Sequence, residues 1–252
     1  MKKINLPIQV DETVPSRPNI KWGIKMISIL IIFIVVGFLG FYMFSYVIIA
    51  NISLEKEIKM FGNLLKNEEN FSKFDKKIFG NKLEDFPYNL YLRDIEDANA
   101  FASIGGNIAI TKGLLEEIKY EEEILFVIGH EKGHIENRDP LRMFTTNFPF
   151  QTTFSYIGYN IGFDFSQITS MMGNILSKNM EINADNYGIN FVQKKGLNPG
   201  CVLNFFQKNQ SKNPKFVEFF GTHPMTETRI NNLKKQIGIE EINFEKCTKF
   251  KY

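Results

Sequence analysis

Two histidines and a glutamate in the segment VIGHEKGHIENRDP, residues 127–140, have the types and spacing of a metal-dependent hydrolytic site. The chain holds only three histidines, and two of them, His130 and His134, stand four residues apart. On a helix, residues four apart share one face, so both imidazoles can bind a single Zn²⁺. Glu131 is displaced around the helix by about 100°, where its carboxylate can reach a water molecule beside the metal. The alternative is a pair of surface histidines on an ordinary amphipathic helix.

The elements that must position these side chains can be predicted from the flanking sequence. A helix is expected to begin near Glu121, because three successive glutamates place negative charge at its positive end, and Pro140 prevents its continuation. A later helix is predicted over about Met171 to Lys195, ended by Gly196. The segments YNLYLRDIED and ANAFASIGGNIAIT alternate between apolar and polar residues, which indicates short strands around a tight turn.

Four separated blocks, in order between about Asp97 and Leu233, resemble those of one family. The blocks are DANAFASIGGNIAITKGLL, HEKGHIENRD, SKNMEINADNYG and GTHPMTETRINNL. Together they resemble the HExxH zinc metallopeptidases of the CAAX-prenyl-protease, HtpX and BepA family, which are membrane-associated gluzincins. Lys132 departs from the pattern, because its position is usually apolar in the family. A CAAX-type protease is disfavoured, since those enzymes need many membrane spans.

The resemblance implies a role for each further polar residue of the blocks. Glu181, about 47 residues after His134, is expected to be the third zinc ligand, and Asp185 one turn later to accept a hydrogen bond from His130. His223 is expected to stabilise the oxyanion, and Arg229 to support His223 or to hold a nearby carboxylate. The alternatives are an exposed carboxylate face paired with Lys178, and a histidine that belongs only to a turn.

Asn99, Ala100 and Phe101 are expected to lie on an edge strand above the zinc cleft. An extended peptide can add to such a strand through main-chain hydrogen bonds, which would bind polypeptide substrates with little sequence specificity. A purely structural edge, with Phe101 in the core, is the alternative.

An apolar run from Met26 to Ala50 predicts a membrane anchor, since about 20 such residues cross a bilayer as a helix. The predicted fold is α+β and mainly helical: a zincin-like metalloprotease domain with a small sheet, preceded by one transmembrane helix. The expected parts are an N-terminal tail (1–23), a transmembrane anchor (24–52), an amphipathic stem (53–89) and a zinc metallopeptidase domain (90–252). Apolar and charged residues at helical spacing predict that residues 53–74 of the stem form an amphipathic helix.

Charge and cysteine content restrict the partners and the compartment. The net charge of +2 gives no basis for a nucleic-acid partner. A slight excess of lysine and arginine before the anchor favours a cytoplasmic N-terminus and an extracytoplasmic catalytic domain, periplasmic in a bacterium. Cys201 and Cys247 can form one disulfide or stay as buried thiols, and the thiols are preferred. The oligomeric state stays open.

The sequence therefore predicts a membrane-anchored zinc endopeptidase with one Zn²⁺ per chain. The resemblance implies substrates among misfolded or damaged envelope proteins, and hence protein quality control. The alternatives are a chaperone-like or scaffold protein whose zinc site is latent, covered by the charge-poor segment Met143–Ser177, and a purely structural zinc module. The structural module is weaker, because such sites usually have four protein ligands, often cysteines.

Overall fold

A computed structural model describes residues 20–147, 166–210, 215, 217–238 and 244–252 of the chain. The chain divides into two compact units, Met1–Tyr46 and Val47–Tyr252. Helix α1, Ile20–Asn51, is the one helix of the described residues that is long and apolar enough to cross a membrane. Its large apolar side chains are mostly exposed, as a helix that faces lipid requires.

The predicted amphipathic stem is only partly helical. Helix α2, Leu54–Phe61, begins at Ser53, whose hydroxyl accepts the N–H of Lys56. The chain then turns at Gly62 and forms strand β1, Phe71–Lys73. The prediction of one amphipathic helix over residues 53–74 is therefore wrong. The carbonyl oxygens of Phe61 and Gly62 accept hydrogen bonds from the side chains of Asn107 and Asn89, which removes two acceptors that a continuing helix would use.

Four strands form one mixed sheet in the order β1-β2-β4-β3. The remaining strands are β2 (Asn89–Arg93), β3 (Ala100–Ser103) and β4 (Asn107–Thr111). Strands β2 and β4 are parallel, and the other two pairs are antiparallel. The turn between β3 and β4 needs Gly105 and Gly106, whose φ angles are 81° and 71°. Strand β3 is the last strand in this order, so it lies at an edge of the sheet, as the sequence predicts.

The second unit is otherwise helical, which confirms the predicted α+β class. The helices are α3 (Lys112–Glu117), α4 (Glu121–Glu136), α5 (Asp139–Arg142), α6 (Ser166–Lys194), α7 (Leu203–Gln210), α8 (Val217–Thr222) and α9 (Glu227–Ile237). Short 3₁₀ or π-helical turns occupy Leu65–Asn67, Lys76–Leu83, Met143–Asn147, Pro199–Val202 and Phe244–Lys246. Helix α6 begins earlier than predicted. Residues 148–165, within the segment proposed to cover the site, lie outside the described residues.

Helices α4 and α6 are packed closely, and glycines make this possible. A Cβ atom at Gly133 would lie 2.8 Å from the Cβ of Tyr187 and 2.9 Å from the Cα of Ala184. A Cβ atom at Gly129 would meet Gly188 in the same way, at 3.0 Å. Gly133 thus provides space for α6 and allows the two helices to bring their polar residues together.

The first turn of α4 is fixed by partners from distant parts of the chain. The carboxylate of Glu121 pairs with Lys82 at 2.9 Å. The Glu122 carboxylate accepts the N–H of Thr248 at 3.1 Å, and the Thr248 carbonyl accepts the N–H of Glu121 at 2.8 Å. Glu123 accepts the N–H of Tyr120, one half of a capping box. All three glutamates are buried, so they anchor α4 as well as complementing its dipole.

Cys201 and Cys247 form a disulfide, with their Cα atoms 5.7 Å apart. The preference for free thiols is therefore wrong. Sequence spacing could not show the pairing, because it depends on the C-terminal segment returning to the start of α4, where Tyr120 and Lys249 form a β-bridge. The bond closes a loop of 46 residues that includes α7, α8 and α9.

We predict that Gly133→Ala lowers the free energy of unfolding by about 1–3 kcal/mol, because the new methyl group overpacks the contact between α4 and α6. Gly221→Ala is the control: nothing lies within 4 Å of the Cβ added there, so its stability stays the same or rises by up to about 1 kcal/mol. Urea unfolding of the detergent-solubilised chain, followed by circular dichroism, measures both. Equal stability of the two variants would contradict the tight contact.

We also predict that Cys201→Ser, Cys247→Ser and the double variant each lose about 4 kcal/mol of stability, the loop-closure entropy for 46 residues. The three losses should be equal, because one bond is removed in each case. Thiol titration of the unfolded, unreduced protein should find no free thiol. Two free thiols per chain, or additive losses, would refute the bond.

Candidate active site

Helix α4 places His130 and His134 with their Nε2 atoms 3.1 Å apart. The other ring nitrogen of each histidine faces a carboxylate: Nδ1 of His130 lies 3.0 Å from Asp185 Oδ1, and Nδ1 of His134 lies 2.9 Å from Asp139 Oδ2. When each Nδ1–H is donated to its carboxylate and the ring is otherwise unprotonated, each Nε2 keeps a free lone pair. The two Nε2 atoms are then close enough to bind one cation together.

Glu181 on α6 completes a set of three donors. Its Oε2 lies 3.4 Å from His130 Nε2, and its Oε1 lies 3.5 Å from His134 Nε2. Tetrahedral ligands bonded to zinc at about 2.0–2.1 Å are themselves about 3.3 Å apart. The observed separations of 3.1–3.5 Å therefore fit a metal of that size.

His223, which follows α8, adds a fourth donor. Its Nδ1 is 3.2 Å from His130 Nε2 and 3.3 Å from Glu181. Its Nε2 lies 3.3 Å from the carbonyl oxygen of Ala100, and its ring stacks on Phe219 with centroids 4.8 Å apart. If Nε2–H donates to that carbonyl, the Nδ1 lone pair points toward the other donors. One ligand atom from each of the four residues lies within 4.8 Å of the rest.

Glu131 is buried beside this cluster and is not one of its four donors. Neither of its carboxylate oxygens accepts a hydrogen bond from the described residues. Its Oε1 lies 3.4 Å from His223 Nε2. A buried carboxylate without a protein donor is costly unless it bonds to water or ligand. Glu131 can therefore accept a proton from a water molecule at the cluster.

Arg229 on α9 binds three parts of the site. Its Nε and Nη2 donate to the two oxygens of Asp185, at 2.8 and 2.7 Å. Its Nη1 lies 2.9 Å from Glu181 Oε2 and donates to the carbonyl of His223 at 3.1 Å. The sequence left open whether Arg229 supports His223 or holds a carboxylate, and the structure shows both contacts.

The electrostatics of the cluster favour a bound cation. Four buried carboxylates surround the histidines and outnumber the charge of Arg229: Glu131, Asp139, Glu181 and Asp185. Burial opposes ionisation of Asp185, but Arg229 and His130 hold the pKa of its carboxyl below the usual value. Burial also disfavours protonated His130, yet Asp185 and Glu181 raise the pKa of His130 to about 10. A metal ion would compete with that proton for the same negative charge.

The edge strand differs in detail from the expected substrate strand. The N–H and C=O of Asn99 bond to Thr111, so they face β4. The N–H of Ala100 donates to the side chain of Asn99, and its carbonyl faces His223. Phe101 pairs with Ala109 and packs edge-on against Phe71. By alternation, the next backbone groups at the free edge are those of Ala102, which the sequence did not single out.

Asp139 is a site residue that the sequence prediction missed. It follows the end of α4 and is buried, and its carboxylate orients His134 as Asp185 orients His130. A carboxylate five residues after the second histidine was the available signal. Its direction depends on Arg138, whose φ of 62° turns the chain sharply between α4 and α5.

Comparison with known proteins agrees with this geometry. A sequence model of a protein family, described as peptidase family M48, matches residues 74–237 of the chain. The β-barrel assembly-enhancing protease of Yersinia pestis is 27% identical over 60% of the chain and 34% of that protein. Metalloprotease LoiP of Escherichia coli K12 is 23% identical over 65% of the chain and 68% of that protein. The mitochondrial metalloendopeptidase OMA1 of Arabidopsis thaliana is 28% identical over 57% of the chain and 30% of that protein.

The family match includes every residue of the four-donor cluster, together with Glu131, Asp185 and Arg229. Because that match spans well over half of the chain, residues 74–237, the chain belongs to peptidase family M48.

Proposed function

We propose that the protein is a zinc-dependent endopeptidase. The observation that carries the proposal is the pair of opposed Nε2 atoms of His130 and His134, 3.1 Å apart, with both Nδ1 atoms held by carboxylates. Two imidazoles and a carboxylate are the donor set of many catalytic zinc sites, and they suit zinc better than magnesium or calcium. Bound zinc would supply Lewis acidity toward the scissile carbonyl.

The proposed proton transfers use Glu131. Its carboxylate accepts the proton of the attacking water and then delivers it to the leaving amine. Burial keeps competing solvent away from both oxygens, and neither accepts a hydrogen bond from the described part of the chain, which leaves them free to accept a proton. Asp139 and Asp185 hold the tautomers of the two histidines, and Arg229 keeps Asp185 and Glu181 in place.

The position of His223 is compatible with two roles, one in catalysis and one in closing the metal site. As an imidazole beside the reacting carbonyl, it would donate a hydrogen bond to the oxyanion. In the present geometry its Nδ1 instead lies with the donor atoms of the other three residues, 3.2 Å from His130 Nε2, where it would be a fourth metal ligand. This contact favours a second candidate function, a protein with a latent zinc site that acts as a chaperone-like scaffold until His223 moves aside.

The proposed substrate is an extended polypeptide added to strand β3. Ala102 would provide main-chain hydrogen bonds at the free edge, and Asn99, Ala100 and Phe101 would shape the wall beside the cluster. Binding through main chain would suit misfolded or damaged envelope proteins, whose segments are extended. The relative in Yersinia pestis is named for β-barrel assembly, which agrees with a role in envelope quality control.

The proposed location is the membrane, with the catalytic unit outside the cytoplasm. Helix α1 has the length and composition of a single span. The Cys201–Cys247 disulfide adds support, because disulfides persist in oxidising compartments. The excess of basic residues before the span agrees with this orientation.

We expect Glu131→Gln to lower the cleavage rate of an unfolded fluorescent protein by about 10²–10⁴-fold, because it removes the proton acceptor. Metal content should stay at one zinc per chain, since Glu131 is not among the four donors. Removal of the metal with a chelator should abolish cleavage by the unaltered chain, and added Zn²⁺ should restore it. Undiminished cleavage by the variant would refute the assignment, and a chain without metal would refute the zinc site.

Replacement of His223 separates the two roles. If His223 stabilises the oxyanion, His223→Ala lowers kcat by about 10²–10³-fold and leaves metal affinity nearly unchanged. If His223 closes the metal site, the same change weakens metal binding and raises cleavage at saturating Zn²⁺. Measurement of kcat and of metal affinity by competition with a chromophoric chelator distinguishes them. We expect the first result, with lowered kcat; a rise in kcat would favour the latent protein.

A further inference from the structure

A buried ion pair outside the catalytic cluster connects helix α2 to the end of α4. Nε of Arg138 donates to Glu57 Oε2 at 2.9 Å, and Nη2 lies 2.7 Å from the same oxygen. Nη1 of Arg138 also donates to the carbonyl of Ile52 at 2.8 Å. Glu57 is 3% exposed. A carboxylate so deeply buried persists only with a full set of partners.

The second oxygen of Glu57 binds the turn between β3 and β4, the strand pair beside the proposed substrate. Oε1 accepts the N–H of Gly105 at 2.9 Å, in the turn between β3 and β4. Gly105 packs directly on the end of α2, where a Cβ would lie 2.3 Å from the carbonyl carbon of Phe61. Glu57 is therefore fixed from two sides, and it presents a rigid acceptor to Arg138.

The backbone conformation of Arg138 is unfavourable, so contacts of its side chain must hold it in place. Arg138 is the one residue other than glycine with positive φ among the described residues, at 62°. A side chain with a Cβ resists this conformation, which persists where surrounding contacts impose it. The left-handed turn at Arg138 separates α4 from α5. The next residue is Asp139, whose Oδ2 lies 2.9 Å from His134 Nδ1.

We propose that Arg138 and Glu57 are positioning residues for the metal site. The ion pair holds the left-handed turn at Arg138, the turn sets the direction of the Asp139 carboxylate, and Asp139 holds the ring of His134 with Nε2 toward the metal. Neither member of the pair touches the metal or the substrate. The inference rests on the proposed zinc site and adds a function for α2, a segment before the family match, which begins at residue 74.

The test measures zinc affinity of the full chain in detergent, by competition with a chromophoric chelator. Arg138→Met and Glu57→Gln should each weaken zinc binding by about tenfold, the lower end of effects seen for groups that orient metal ligands. Arg138→Lys should recover part of the loss, because it keeps the charge but cannot reach both Glu57 and Ile52. Each measurement is repeated with Glu131→Gln present, so that self-cleavage does not alter the sample.

Lys82→Met is the matched control. Lys82 pairs with the buried Glu121 at 2.9 Å, at the opposite end of α4. Its loss should lower the melting temperature as Arg138→Met does, but leave zinc affinity at the original value. Wild-type affinity in Arg138→Met and Glu57→Gln, or equal weakening in Lys82→Met, would overturn the proposal.

The same data separate this inference from the proposed function. A chain that binds no zinc even without substitutions at residues 57 and 138 contradicts the zinc endopeptidase itself. A chain that binds zinc, with affinity insensitive to Arg138 and Glu57, contradicts only the positioning role. If Arg138→Met does not fold, Glu57→Gln and Arg138→Lys still give the affinity that decides between these outcomes.

Discussion

The central constraint on this structure is that several carboxylates are buried together and their negative charge must be balanced. Asp139, Asp185, Glu131 and Glu181 are all withdrawn from water around the imidazoles of α4. Such a cluster is stable only if each oxygen has a donor or a cation. The protein provides Arg229 for two of the carboxylates, histidine N–H groups for two, and no donor among the described residues for Glu131. A divalent cation at the opposed Nε2 atoms would balance the remainder, so metal binding and the stability of this core are the same problem.

Close contact between two helices makes that concentration of charge possible. The two histidines on α4 and Glu181 on α6 meet because Gly129 and Gly133 let the helix axes approach more closely than larger residues would allow. The polar residues then lie along one side of the contact, and apolar side chains such as Phe126 and Ile189 close it elsewhere. A motif of two histidines and a glutamate therefore specifies chemistry, whereas Gly129 and Gly133 determine how closely α6 approaches those residues.

Helical periodicity explains which parts of the site could be predicted from the sequence. Spacing places His130 with His134 on one face of α4, and Glu181 with Asp185 on one face of α6. The family resemblance, not the spacing, implied that these two pairs meet. Asp139 was missed because its direction comes from a left-handed turn that periodicity does not describe. The edge strand was predicted, but the backbone of Ala100 is already bonded: its N–H donates to the Asn99 side chain, and its carbonyl faces His223, which lies more than one hundred residues away in the chain. The disulfide and the interrupted stem were missed for the same reason: both depend on segments that return from far along the chain.

Both ends of α4 are held by segments outside the family match of residues 74–237. At the start of α4, Thr248 bonds to Glu121 and Glu122, close to the disulfide at Cys247. At its end, Arg138 bonds to Glu57 and to the carbonyl of Ile52. A helix that bears two ligands four residues apart must resist both sliding and rotation, because either motion would separate their Nε2 atoms from Glu181. In this chain, segments on both sides of the family match therefore add to the rigidity of the helix that bears His130 and His134.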